Sequence, residues 1–110
     1  MSPTRFLGEF EQMVLLAILQ EEENAFALEV RRTIEECTGR KVSRGAFYTT
    51  LDRMERKALL AWEALPPPDD RTAAPLRRYA VTAAGVEALR ASRAALDALS
   101  RGLDGLLEQA

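Results

Sequence analysis

The sequence predicts a mainly α fold with one small β-hairpin. Three observations carry that prediction. Apolar residues recur at helical spacing in four segments, and the period shortens to two only around residues 59–65 and 76–81. The gap between those two short runs is rich in Pro and Asp, which cannot continue a ladder. With 110 residues and 47% hydrophobic content, the chain is long enough for a modest core that would gain from pairing with a second copy.

The first helix is expected over about residues 7–21, where the stretch after Met13 is apolar nearly all round and so calls for burial on most sides. Asn24 is a suitable N-cap for a second helix, in which Phe26, Val30 and Ile34 share a stripe while Glu29, Arg31, Arg32 and Glu35 face out. Gly39 supplies a left-handed stop. Ser43 caps a third helix, about 43–57, whose stripe of Phe47, Leu51, Met54 and Ala58 faces the core. Its opposite stripe holds Gly45, Thr49, Asp52, Arg53 and Arg56, with Tyr48 on the flank.

From Leu59 the pattern turns to a strand in which Leu60, Trp62 and Ala64 alternate with Ala61, Glu63 and Leu65, until Pro66-Pro67-Pro68-Asp69-Asp70 ends it. Leu76 to Val81 is the returning strand, with Tyr79 and Val81 on one face and Arg78 on the other. The connecting loop carries Arg71, and Arg77 and Arg78 follow beside it. Thr82 caps a last helix over about 83–109, in which Leu89, Leu96 and Leu103 repeat every seven residues and Leu99 and Leu106 add the second position of a heptad. Gly102 and Gly105 each cost about 1 kcal/mol relative to Ala and favour fraying of the last turn. The organisation expected is a unit of residues 1–82 followed by a C-terminal dimerisation helix, 83–110.

The net charge of −2 hides a strong asymmetry. Residues 1–37 carry −5, residues 38–80 carry +4 and residues 81–110 carry −1. Phosphate attraction acts over about a Debye length, roughly 8 to 10 Å, so a local basic face can serve a protein that is acidic as a whole. With a single cysteine, Cys37, and no histidine, the composition offers neither an internal disulfide, nor a Cys/His metal site, nor a His-based catalytic arrangement. No catalytic residue, metal or cofactor is expected. The longest apolar run, Met13 to Leu19, is far short of the roughly 20 residues of a membrane span, and Met1-Ser2-Pro3-Thr4 lacks the basic and apolar regions of a signal peptide. A cytoplasmic, non-enzymatic protein is the expectation.

A short capped helix with a small, hydroxylic and basic outer face, feeding a hairpin with paired arginines, is the pattern of a winged helix-turn-helix that reads double-stranded DNA. The expected contacts are Ser43, Arg44, Tyr48, Thr49 and Arg53 from the helix and Arg71, Arg77 and Arg78 from the wing. The seam Leu89, Leu96, Leu99, Leu103 and Leu106 is expected to join two copies, so that a homodimer reads a pseudo-palindromic operator. The alternative is a winged helix kept for protein–protein contact, favoured mildly by the acidic first 37 residues.

Leu7-Gly8-Glu9-Phe10-Glu11, Gly45 to Glu55, and Arg78-Tyr79-Ala80-Val81-Thr82-Ala83-Ala84-Gly85, in that order over nearly the whole chain, resemble the PadR family of transcriptional regulators. The resemblance implies a cytoplasmic homodimeric repressor, paired through its last helix with help from the first. In many members a small aromatic or hydrophobic compound releases the DNA. The chain departs from the family in Phe26-Ala27-Leu28, where an aromatic-Gly pattern is usual, and in Ala58, where Gly is usual. Its wing segment 72–76 is apolar, and its only tryptophan is Trp62 in the first wing strand rather than in the last helix. Stacking of planar drugs on a last-helix tryptophan is therefore not expected.

Overall fold

A computed structural model describes residues 6–66 and 75–109. Arg71 lies outside the described residues. Helix α1 (Glu9–Glu21) starts after Gly8, whose N–H is taken by the Glu11 carboxylate at 3.0 Å, so the carboxylate satisfies one of the orphan donors of the first turn. Val14, Leu15, Ala17 and Ile18 are buried, whereas Leu19 is exposed.

Helix α2 (Ala27–Thr38) begins later than the sequence suggests, because Asn24 closes a single 3-10 turn rather than capping the helix. Residues 25 and 26 stay out of the helix, Phe26 with extended backbone, for a reason outside the segment. The Ala25 carbonyl accepts the Tyr79 N–H at 2.8 Å, and Phe26 forms an antiparallel bridge with Arg78. Sheet pairing thus overrides the local helical pattern. Val30 and Ile34 are buried as expected, but Glu29, Arg31 and Glu35 are half-buried rather than fully outward. Gly39 ends the helix at φ 71, as its sequence position predicts.

Helix α3 (Arg44–Arg56) is capped by Ser43, whose hydroxyl accepts the Ala46 N–H at 3.2 Å. Phe47, Thr50, Leu51 and Met54 are buried beneath it. Ala58 does not join that stripe: it is exposed, at φ 61, just past the helix end. Its N–H bonds to the Glu55 carbonyl, and the Leu59 N–H to the Met54 carbonyl, both at 2.9 Å. This pair of bonds is the Schellman arrangement, with alanine in the left-handed position that glycine usually fills.

Strands β1 (Leu60–Leu65) and β2 (Leu76–Val81) pair antiparallel, with Leu60 opposite Val81, Trp62 opposite Tyr79 and Glu63 opposite Arg78. Because side chains alternate, Leu60, Trp62, Arg77, Tyr79 and Val81 share one face, while Glu63 and Arg78 share the other. Thr82 then joins three elements. Its hydroxyl accepts the Gly85 N–H at 3.0 Å as the cap of the next helix and donates to the Ala58 carbonyl at 2.7 Å, while its N–H reaches the Leu59 carbonyl at 3.1 Å. Gly85 is required by proximity, since a Cβ there would lie 2.0 Å from the Leu59 carbonyl oxygen.

The single C-terminal helix expected over 83–109 is instead two: α4 (Ala83–Ser100) and α5 (Asp104–Glu108). Gly102, at φ 83, takes a left-handed conformation that breaks the helical run. The first half of α4 belongs to the core. Leu89 is only 5% exposed, and the Ser92 hydroxyl accepts the Leu7 N–H at 2.8 Å while donating to the Ala88 carbonyl. Among the described residues, no helix is long and apolar enough to cross a membrane.

Gly85→Ala should lower stability by about 1–3 kcal/mol, because a backbone carbonyl must give way to the methyl group. Ala58→Gly should act oppositely and raise stability by about 0.5–1 kcal/mol, since glycine enters the left-handed region without strain. Thermal unfolding of both variants checks the pair. Equal melting temperatures for the two would contradict this account of the α3–α4 junction.

Candidate nucleic-acid interface

Helix α3 lies on the core and turns its other face outward, with Ser43, Arg44, Gly45, Tyr48, Thr49, Asp52, Arg53 and Arg56 exposed along it. Gly45 has no neighbour within 4 Å of where a Cβ would sit, so packing inside the protomer does not require glycine there. A glycine inside a helix is destabilising by roughly 0.5–1 kcal/mol relative to alanine. Its use on a bare outer face leaves room for the close approach of another molecule. Tyr48 stands edge-on to Phe47, with ring centroids 5.7 Å apart, and the Arg44 guanidinium lies 5.7 Å from the Tyr48 ring. These contacts hold an aromatic hydroxyl and a cation at the start of the helix.

The structure separates the basic residues that the sequence groups together. Arg53 faces α1, where its Nε lies 3.7 Å from the buried Glu11 carboxylate, and Lys57 approaches the same carboxylate at 3.4 Å. Arg77 stays beside α3, with its guanidinium over the Trp62 ring at 4.1 Å from the centroid. The Trp62 indole N–H in turn donates to Glu55 of α3 at 3.0 Å. Arg78 points to the other face of the hairpin and is engaged there by Glu63.

Sequence spacing did not single out Glu11, Glu55, Trp62 or Tyr79 as parts of this surface. The strand alternation contained the needed signal for Trp62 and Tyr79, which sit opposite each other on the α3 side. A hollow of about 440 Å³ opens between the α2 N-terminus, α3 and β2, with Phe26, Leu28, Tyr48, Arg77 and Tyr79 in its walls. Burial raises the Tyr79 hydroxyl above its ordinary pKa, and a hydrogen bond from Arg77 together with its charge opposes that rise. Among the described residues, no group of three or more Cys, Asp or Glu side chains is placed to hold a metal ion.

On the far side of the molecule, Leu96, Leu99, Leu103 and Leu106 are exposed, Leu99 at 77%. Leu89, the fifth leucine of the expected seam, is taken up by the protomer's own core and does not belong to the exposed stripe.

Residues 15–91, which span α1 through the first half of α4, match the model of the transcriptional regulator PadR-like family. The chain belongs to the PadR-like transcriptional regulators. Its fold is shared with a PadR-like transcription factor from Bacteroides fragilis at 22% identity, with 88% of each chain covered and a TM-score of 0.69. A PadR-like transcriptional regulator from Bacillus cereus is similar at 23% identity, covering 89% of this chain and 90% of that one, with a TM-score of 0.68. A PadR family regulator from Eggerthella lenta reaches 26% identity over 93% of this chain and 88% of its own, with a TM-score of 0.65. Comparison with curated proteins found no significant match. In this PadR-like chain the segment from Tyr79 to Gly85 has a physical reason: Tyr79 is core, Thr82 is the junction and Gly85 is the close approach.

Glu11 gives the stability of the fold a pH dependence where α1 meets α3. Burial pushes its carboxyl up, but the Gly8 N–H and the nearby Lys57 and Arg53 charges outweigh that effect and hold it below the ordinary glutamate range. A carboxyl lowered in the folded state contributes fully above its unfolded pKa, about 4.3, and the contribution is lost as pH falls through the lower folded value. Glu11→Gln should therefore lower stability at pH 7 by about 1–3 kcal/mol and make the decline below pH 5 shallower. Denaturant titrations at pH 7 and pH 3.5 check it, and equal losses for variant and parent on acidification would contradict the assignment.

Proposed function

We propose that this chain is a sequence-specific DNA-binding repressor of the cytoplasm, working as a homodimer on a pseudo-palindromic operator and released by a small hydrophobic effector. Residues 1–82 supply the DNA-binding unit and residues 83–110 supply pairing, with Leu89 and Ser92 also part of the core. The observation that carries the reading is the outer stripe of α3. Gly45, Thr49, Asp52 and Arg56 are exposed, and among the described residues their side chains make no bond to the rest of the fold, on a helix whose other face is committed to packing. Thr49 is a residue type that reads base edges, Arg53 would do so only on leaving Glu11, and Ser43, Arg44 and Tyr48 suit phosphate contact at the N-terminal end. Arg77 extends the surface onto the wing, and Arg78 would reach phosphate only on releasing Glu63.

Pairing is supported by the exposed leucines of α4 and α5, which a lone protomer leaves in water. The effector is supported by a second hollow of about 440 Å³ between α1 and Leu96, lined by Leu7, Met13 and Leu16 with Glu9 and Gln12 as its polar members. That volume lies within the roughly 300–1,000 Å³ of small-molecule sites, and its place beside the exposed leucines would let an occupant alter how two protomers meet.

Two measurements test the reading. On a fragment of the protein's own promoter, Thr49→Ala and Arg53→Ala should each weaken binding by about 1–3 kcal/mol and leave random DNA little affected. Gly45→Ala should raise the melting temperature while weakening operator binding, a split that a purely structural glycine would not give. Equal loss on operator and random DNA for all three variants would exclude base reading by α3. Leu96→Glu with Leu103→Glu should yield a folded monomer by light scattering that no longer binds the operator specifically, and a monomer with parental affinity would exclude the dimer.

A further inference from the structure

The DNA-reading account of α3 leaves Trp62 without a part, yet its surroundings are highly specific. Its indole N–H is fixed to the Glu55 carboxylate at 3.0 Å, and its ring carries the Arg77 guanidinium at 4.1 Å. Trp62 faces Tyr79 across the hairpin, and Arg77 lies two residues before Tyr79 on the same face, so the stack is a diagonal cross-strand contact. One side chain thus connects the recognition helix, through Glu55, to an arginine of the wing.

A guanidinium stacked on an aromatic face uses none of its five N–H donors for the stack; Arg77 also bonds to the Tyr79 hydroxyl, and its remaining donors are left for another acceptor. The neighbouring Arg78 is a useful contrast, because both its Nε and a terminal nitrogen are engaged by the Glu63 carboxylate. Of the two adjacent arginines, Arg77 is the one oriented without a carboxylate neutralising it in the described ion pairs. The Glu55 bond keeps the platform at a set distance from α3, so the arginine is held at a set offset from the groove-reading face.

We infer that Trp62 is a positioning residue, holding Arg77 ready for a backbone phosphate beside the strand that α3 reads, an inference that rests on the DNA-binding reading above. A phosphate contact carries no base information, so the contribution extends to any duplex. Loss of the platform should weaken binding roughly two- to five-fold, the range of an exposed cation–π contact.

The test is a double-variant cycle on the full chain, using a labelled duplex of its own promoter and a random duplex of equal length over a series of salt concentrations. Arg77→Ala should weaken both duplexes and reduce the salt slope by about one unit. In a Trp62→Leu or Trp62→Met background, two apolar replacements of different shape, Arg77→Ala should add much less, whereas in Trp62→Phe it should keep most of its effect. If Arg77→Ala costs the same factor in all backgrounds, or nothing in any, the inference is overturned. The DNA-binding reading fails separately, by Thr49→Ala leaving operator binding unchanged.

Discussion

The carbonyl of Leu59 is the point on which the geometry of this molecule depends. It accepts the Thr82 N–H at 3.1 Å and lies where only a glycine at position 85 can pass. The adjoining Ala58 carbonyl accepts the Thr82 hydroxyl. Through these few atoms the exit of α3, the closure of the hairpin and the start of α4 become one joint. The direction of α3 relative to the wing, and of both relative to α4, is therefore set by backbone contacts rather than by side-chain packing alone. Leu59 is buried, so a Leu59 carbonyl without the Thr82 N–H would be left an unsatisfied polar group away from water.

Charge is distributed in the same disciplined way. The middle of the sequence carries +4, but the structure removes part of it from the outer face. Glu11 draws in Arg53 and Lys57, and Glu63 holds Arg78. Arg44, Arg56 and Arg77 keep no carboxylate partner among the described ion pairs, and they surround the small residues of the α3 stripe. The resulting surface is selectively basic, with cations at its margins and Gly45 and Thr49 near its middle. Such a division suits contact with phosphates at the edges and bases between them.

Much of the fold could be read from the residues alone. Ser43, Gly39 and Thr82 act at the termini where their chemistry places them, and the strands of the hairpin follow the alternation of Leu60, Trp62, Tyr79 and Val81. The misreadings have tertiary causes. Asn24 lost its capping role because Ala25 and Phe26 pair with β2, a partner more than fifty residues away in sequence. Ala58 fits the α3 stripe on a wheel but falls in the Schellman turn, and Leu89 fits a heptad seam but is absorbed by the core. A heptad pattern cannot tell a partner helix from the protomer's own interior. At the candidate site, the outer face of α3 was legible from helical spacing. The Glu11, Glu55 and Trp62 contacts were not, since they depend on how separate elements approach.

Hydrogen exchange of the full chain, with and without a duplex containing its own promoter, tests the central claim most directly. If α3 is the reading element, amides of residues 44–56 and of β2 should gain protection on adding the duplex, with those of α5 unaffected by DNA itself. Protection confined to α1 or α4, with residues 44–56 unchanged at saturating duplex, would contradict the account.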